Sequence, residues 1–162
     1  ILNLYVVNGQ DIGTDKYKYK LRWLESVIKY LNKIKKKYTN IIVLGDFNIA
    51  PTDADVFDVE ATHNQILCSP KERDFIDRLK KIGLNDLFLK FDHPEKTFSW
   101  WDYRGGAFHK NIGYRIDLIL GTTDIYERTK DVFVDKHTRH KKWCKKEPRT
   151  SDHAPVVAIV DS

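Results

Sequence analysis

Methionine is absent from this chain, and cysteine occurs only twice, at Cys68 and Cys144. The two thiols lie far apart in sequence with no metal-like spacing, which argues against a disulfide framework and for a reducing compartment. No apolar run approaches the roughly 20 residues that a membrane helix needs. The basic head, apolar run and small-residue cleavage site of a secretory signal are also missing. The first residues, Ile1 to Val7 (ILNLYVV), read as a strand already in progress, so the chain is expected to be the later part of a longer one. What is present suffices for a core: 162 residues, 41% of them hydrophobic, the size of one ordinary domain.

The formal net charge of +5 points toward an anionic partner, although a modestly basic surface is common. The distribution is more informative. From Lys136 to Arg149, five lysines and two arginines stand against Glu147 alone. Such a run reads either as a solvated loop or, with Trp143 in its middle, as an electrostatic grip with an aromatic anchor.

The stretch Ile41 to Asn48, IIVLGDFN, organises the rest. Its apolar run predicts a strand over 41–46, buried on both faces. Gly45 permits a tight turn, and Asp46 and Asn48, two apart, point to one side. The competing reading is a strand followed by a polar turn, since Asp and Asn are ordinary turn residues.

Before it, Asn8 to Lys16 reads as a loop, and Tyr17, Leu21, Leu24, Ile28, Leu31 and Tyr38 recur at helical spacing, predicting an amphipathic helix over 16–37. Strand, helix, strand implies an α/β layered arrangement, with the strand polarity left open. Residues 49–69 are irregular; Asp53, Asp55, Asp58 and Glu60 lack EF-hand spacing and do not read as a dedicated metal site. Ser69, Pro70 and Glu72 then form a capping signature for a helix that buries Phe75, Leu79 and Ile82 and ends at Gly83.

From Thr97 to Leu120, aromatics alternate with Arg104, His109, Lys110 and Arg115. Phe98 and Trp101 are expected in the core. Aromatics beside basic residues in a glycine-containing loop also suit stacking on, or wedging against, an unpaired nucleotide. A strand over 115–120 carries one acid, Asp117, among apolar residues, and a buried carboxylate needs a donor. Ser151 to Val160, SDHAPVVAIV, supplies Asp152 and His153 at the mouth of a last buried strand, 156–160. A histidine, an acid to hold its tautomer, and further carboxylates to activate water or hold a divalent ion make the constellation of a metal-assisted hydrolase of phosphate esters.

In order along the chain, Leu4-Tyr5 with Asn8, GDFNIAPTD (45–53), SWWDYR (99–104), YRIDLIL (114–120) and SDHAPV (151–156) resemble the exonuclease III family of apurinic/apyrimidinic endonucleases, within the endonuclease/exonuclease/phosphatase superfamily. The resemblance spans nearly the whole chain. It implies a four-layered α/β sandwich, two packed β-sheets flanked by helices, of which this chain is the C-terminal part of a single domain. It also implies a Mg2+- or Mn2+-dependent nuclease that cuts duplex DNA 5′ of abasic sites, degrades 3′ to 5′ and clears blocked 3′ ends. Such a protein would be a monomer when complete, in the bacterial cytoplasm or another reducing compartment that contains DNA.

Carried over by position, Asp46 would orient or deprotonate the attacking water, with Asn48 positioning the same oxygen. His153, held by Asp117, would act at the scissile phosphate, and Tyr5 and Asn8 would contact it. Asp152, with Asp46 and Asn48, would serve the metal. Trp100, Tyr114 and Ile116 would form an apolar pocket for the base-free sugar, and Arg104 would face DNA. Which of Asp46, His153 and Tyr5 moves which proton stays open. The family's principal metal-binding glutamate precedes the first residue here, so the chain alone is expected to bind metal weakly. Two other readings share parts of this pattern: a phosphatase of the same superfamily, which would not need the aromatic and basic stretch 98–115, and a non-catalytic nucleic-acid-binding module.

Overall fold

The computed structural model describes residues 1–140, 143 and 150–161. Eleven strands and α-helices follow in order: β1 (Leu2–Tyr5), α1 (Asp15–Ile34), β2 (Ile42–Asp46), α2 (Val59–Thr62), α3 (Pro70–Lys81), β3 (Asn85–Asp86), α4 (Ala107–Lys110), β4 (Asp117–Gly121), α5 (Thr123–Arg128), β5 (Thr129–Val134) and β6 (Val156–Val160). A four-stranded sheet runs β1-β2-β4-β3, with β1 parallel to β2 and β4 antiparallel to both of its neighbours. Strands β5 and β6 form a second, antiparallel sheet. The parallel β1-α1-β2 unit settles the polarity that periodicity left open.

Alternation along the central strands decides the layering. Leu4, Val6, Val43, Leu118 and Leu120 face one side, where Leu24, Ile28 and Leu31 of α1 and Phe75, Ile76 and Leu79 of α3 cover them. Each such side chain, once buried, stabilises the fold by about 1.5–3 kcal/mol. Ile42 and Ile119 face the other side and pack toward the second sheet through Phe88, Val132, Val156 and Ala158. Helices, sheet and second sheet are thus three stacked layers of a mixed α/β fold. Among the described residues, no helix is long and apolar enough to cross a membrane.

The Ser69 capping box on α3 forms as expected, with Pro70 in the first turn and Gly83 at φ +86° just beyond its end. Other boundaries differ from expectation. Helix α1 stops at Ile34 rather than at residue 37, because a further turn would bury no apolar face: Tyr38 is exposed. Lys35 caps the end and its ammonium reaches the Ile82 carbonyl. Strand β2 is not buried on both faces. Val43 is fully covered while Ile42 and Leu44 are half-buried. Strand β4 begins at Asp117, since the preceding amides are diverted, Arg115 N–H to the Asp55 carbonyl and Ile116 N–H to Ser99 Oγ. Strand β6 is half-exposed rather than buried, because it pairs with β5 alone among the described strands.

Phe98 and Trp101 are core residues with no exposure. Of the two readings of the 136–149 run, neither a solvated loop nor an electrostatic grip describes Arg139. Lys136–Arg139 form a 3-10 turn, and Arg139 is buried between the rings of Tyr103 and Phe108, donating to the Trp101 carbonyl at 3.2 Å. Trp143 is exposed. Residues 141, 142 and 144–149, including Cys144 and most of the basic run, lie outside the described residues; Cys68 is buried and unpaired with sulfur.

Candidate active site

Three neighbouring strands end at one level. The register places Tyr5 of β1 against Asp46 of β2, and Asp46 against Asp117 of β4. Directly opposed residues in a sheet project to the same face, so a tyrosine and two carboxylates form a row at the sheet's end. Gly45 makes the close approach of β1 and β2 possible. Its φ is +128°, and a Cβ there would lie 2.0 Å from the Leu4 carbonyl oxygen.

The turn after β2 folds back onto Asp46. Asn48, in the left-handed region at φ +47°, donates its backbone N–H to Asp46 Oδ1 at 2.8 Å and its amide to Asp46 Oδ2 at 3.0 Å and to the Val6 carbonyl at 2.8 Å. Asn8 in turn donates to Asn48 Oδ1 at 3.3 Å. Asp46, Asn48 and Asn8 therefore form one connected set.

His153 arrives from the opposite direction. Residues 99–101 bridge the chain before β4 to the chain before β6: Ser99 Oγ accepts the amides of Ile116 and Asp117 at 3.1 Å, its carbonyl accepts Ala154 N–H at 2.8 Å, and Trp101 N–H reaches the Asp152 carbonyl at 3.1 Å. The result puts His153 Nδ1 at 2.9 Å from Asp117 Oδ2 and 3.1 Å from Oδ1. A histidine held at Nδ1 by a carboxylate has a fixed ring orientation and keeps Nε2 for a substrate. Both side chains border a cleft of about 440 Å³ that Trp143 also lines.

Burial and neighbouring charges act on both Asp46 and His153. The Asp46 carboxyl is pushed up to about 6, mainly by burial and further by Asp117, against the lowering hydrogen bond from Asn48. For His153, burial disfavours the imidazolium, but the Asp117 hydrogen bond and charge, with Asp46 and Asp152 beyond, outweigh it and raise its pKa.

Beside this cluster, Trp100 and Tyr114 lie with ring centroids 5.8 Å apart, and both pack on a buried group that includes Ile116, Val56 and Leu67. Phe57, which the sequence did not single out, meets Tyr114 edge to face. Trp100 Nε1 donates to Asp152 Oδ2 at 3.0 Å, so Asp152 orients the indole as well as facing the site. Arg104 stands apart: its guanidinium is exposed and hydrogen-bonds Asp102, two residues away, and none of the other site residues.

Among the described residues, no three His, Cys, Asp or Glu side chains converge to hold a metal ion. The donors fit a hard cation in kind, since Asp46, Asn48 and Asp152 offer oxygens and Mg2+ keeps most of its waters when held by one or two carboxylates. Two opposed carboxylates, one of them with a raised pKa, are also an arrangement that a divalent cation relieves. Asp53, Asp55 and Asp58 serve structure instead: Asp55 accepts from the buried Arg115 at 2.6 Å and Asp53 from Arg73 at 2.7 Å, while Asp58 caps α2.

Sequence reasoning missed Lys20, Ser99 and Arg115. Lys20 was legible as a charge on the apolar stripe of α1, three residues after Tyr17 and four before Leu24. Arg115, fully buried between Asp55 and Asp86, had no such signal, because its partners are 60 and 29 residues away.

The model for the family described as endonuclease/exonuclease/phosphatase matches residues 4–153. Exodeoxyribonuclease III of Haemophilus influenzae is 33% identical over 98% of the chain and 60% of its own length. A 3′ phosphatase from Neisseria, NExo, solved with a product DNA hairpin, superposes with TM-score 0.91 at 38% identity over 99% of this chain and 60% of that one. An AP endonuclease from Archaeoglobus fulgidus gives TM-score 0.86 at 31% identity, again over 99% and 60%. The chain thus spans about 60% of the length of the relatives it matches. With its motifs matched from β1 through His153, the chain belongs to the endonuclease/exonuclease/phosphatase family and, within it, to the exonuclease III group.

Proposed function

We propose that this chain carries the hydrolytic site of a DNA-repair nuclease that cleaves the backbone of duplex DNA 5′ of abasic sites and removes nucleotides or blocking groups from 3′ ends. The observation that carries the reading is the Asp117-His153 pair, aligned across the sheet with the Asp46-Asn48 pair and beside the Trp100-Tyr114 patch. The likeness to a protein solved with a DNA hairpin supports a DNA substrate. The chain is further proposed to be the C-terminal part of one such domain, active as a monomer when complete.

Each residue has a task in phosphodiester hydrolysis. Asp46, with a carboxyl near pKa 6 in the metal-free protein, accepts or orients the proton of the attacking water, and Asn48 fixes the carboxylate from which it works. His153, kept in one orientation and biased toward its cationic form by Asp117, presents Nε2 to the phosphoryl oxygens and stabilises their charge. Asn8 and Tyr5, at the same sheet end, hold the phosphate. Trp100, Tyr114 and Ile116, which pack together, would offer an apolar surface to a sugar that lacks its base. Arg104, exposed on its loop, meets the DNA backbone.

Asp46, Asn48 and Asp152 would hold Mg2+ or Mn2+, which supplies charge neutralisation at the phosphate. Because this ligand set is short, the chain by itself is expected to bind the ion weakly.

Trp100→Ala tests the pocket. Incision at an abasic site should fall by more than exonuclease action at a plain 3′ end. Equal losses on both substrates would mean that Trp100 supports the fold around Asp152 and not the sugar. Hydrolysis of small phosphate esters in preference to duplex DNA would instead favour a phosphatase.

A further inference from the structure

We infer that Lys20 is a positioning residue of this hydrolytic site, a buried ammonium that ties the Asn8 and Asn48 turns to each other and to α3. The inference rests on the nuclease reading for its kinetic test, but its structural basis is independent of it.

Lys20 has no exposure, although it lies on a helix whose opposite face is open to water. Its ammonium has three N–H donors and meets three acceptors: the Asn48 carbonyl at 2.7 Å, the Asn8 carbonyl at 3.1 Å and Glu72 Oε1 at 2.5 Å. Every donor is used, which is the condition under which a buried charge is tolerated. Two of the three acceptors are backbone atoms of the residues whose side chains meet at Asn48 Oδ1.

Glu72 anchors the other end. Its Oε2 accepts from both the amide and the hydroxyl of Ser69, at 3.0 and 2.6 Å, and Ser69 Oγ also meets the Tyr17 hydroxyl at 2.6 Å. Gly9, at φ +91°, leaves room for the lysine stem, since a Cβ there would lie 3.1 Å from Lys20 Cδ. Asn48 is thus fixed at both its side chain and its backbone. Its carboxamide nitrogen donates to Asp46 and Val6 and its carboxamide oxygen accepts from Asn8, while its backbone carbonyl accepts from Lys20 and is drawn toward the helix layer. A solvated loop at this place would leave Asn48, and with it the Asp46 carboxylate, free to rotate.

The test uses the full-length protein. Lys20→Met alone strands Glu72 and threatens folding, so the informative variant is Lys20→Met/Glu72→Gln, which removes both charges. The control is Lys90→Met. Lys90 also gives three hydrogen bonds, to the carbonyls of Tyr126, Glu127 and Thr129, but far from the site. On an abasic duplex the double variant should keep its KM and lose kcat by about 10- to 100-fold, as supporting partners of a site do. Lys90→Met should lower the Tm and leave kcat unchanged.

Side-chain amide resonances of Asn8 and Asn48 give a readout without turnover, shifting in the double variant and not in the control. A folded double variant with unchanged kcat and unchanged amide resonances would overturn the inference. If the unaltered protein cuts no DNA, the nuclease reading fails, and the amide resonances alone decide whether Lys20 positions the two turns.

Discussion

Asp46 and Asp117 sit directly opposite each other in the antiparallel register of β2 and β4, one carboxylate held by Asn48 and the other by His153. Like charges face to face in a sheet are destabilising unless something compensates. Here the compensation is divided: Asp117 gains an imidazole, while Asp46 shifts its pKa upward to about 6.

That division has a consequence at Asp117. Asp117→Asn removes the charge and weakens the hydrogen bond that raise the His153 pKa, so burial should then weigh more and the pKa should fall. Ring-proton NMR titration checks this directly. Turnover should drop by roughly 10²- to 10⁴-fold, the usual worth of a positioned acid or base.

A second consequence concerns pH and stability without metal. The Asp46 carboxyl is raised from its ordinary 3.8 to about 6, so the folded state binds the proton more tightly than the unfolded state. Its effect is therefore to lower stability as pH rises from about 4 to about 6. His153 is raised above its ordinary 6.5, so its contribution is fully present below that pH and is lost as pH rises through the higher folded value. Urea midpoints of the unaltered protein minus those of Asp46→Ala should fall across the first window. Mg2+ should flatten that slope, because the ion competes with the proton for the same carboxylate.

Much of this was legible in the sequence. Ser69, Pro70 and Glu72 announced the start of α3 because a capping box is local chemistry. Asp117 announced a partner because a lone acid in an apolar strand requires one, and His153 is that partner. What was not legible depends on distant pairing. Arg115 reads as one more basic residue among aromatics, yet it is buried between Asp55 and Asp86. Arg139 reads as part of a solvated basic run, yet it is stacked between Tyr103 and Phe108. The start of β4 shifted for the same reason, since the Arg115 amide is drawn to the Asp55 carbonyl, a partner that sequence proximity does not reveal.

Arg139→Ala should therefore act on stability. It removes a desolvated cation from two aromatic faces and a hydrogen bond to the Trp101 carbonyl, a loss of about 2–4 kcal/mol. Denaturant unfolding measures it. A change below the noise would mean that the guanidinium is solvated.

Gly45→Ala is expected to be far more damaging than its size suggests. The new methyl would meet the Leu4 carbonyl in a backbone conformation that alanine rarely adopts, forcing β1 from β2 and costing roughly 4 kcal/mol or more. Loss of the cooperative thermal transition in circular dichroism would register it.

The central claim is that the aligned acids and His153 hydrolyse the DNA backbone, and cleavage of a labelled duplex carrying one abasic-site analogue tests it most directly. The full-length protein, its His153→Ala variant and the 162-residue chain alone are compared in Mg2+ and in EDTA. The account predicts incision 5′ of the lesion by the full-length protein in Mg2+ only, at least about 100-fold weaker in the variant and weak or absent in the chain alone. Full incision by His153→Ala, or none by the full-length protein with either Mg2+ or Mn2+, would contradict it.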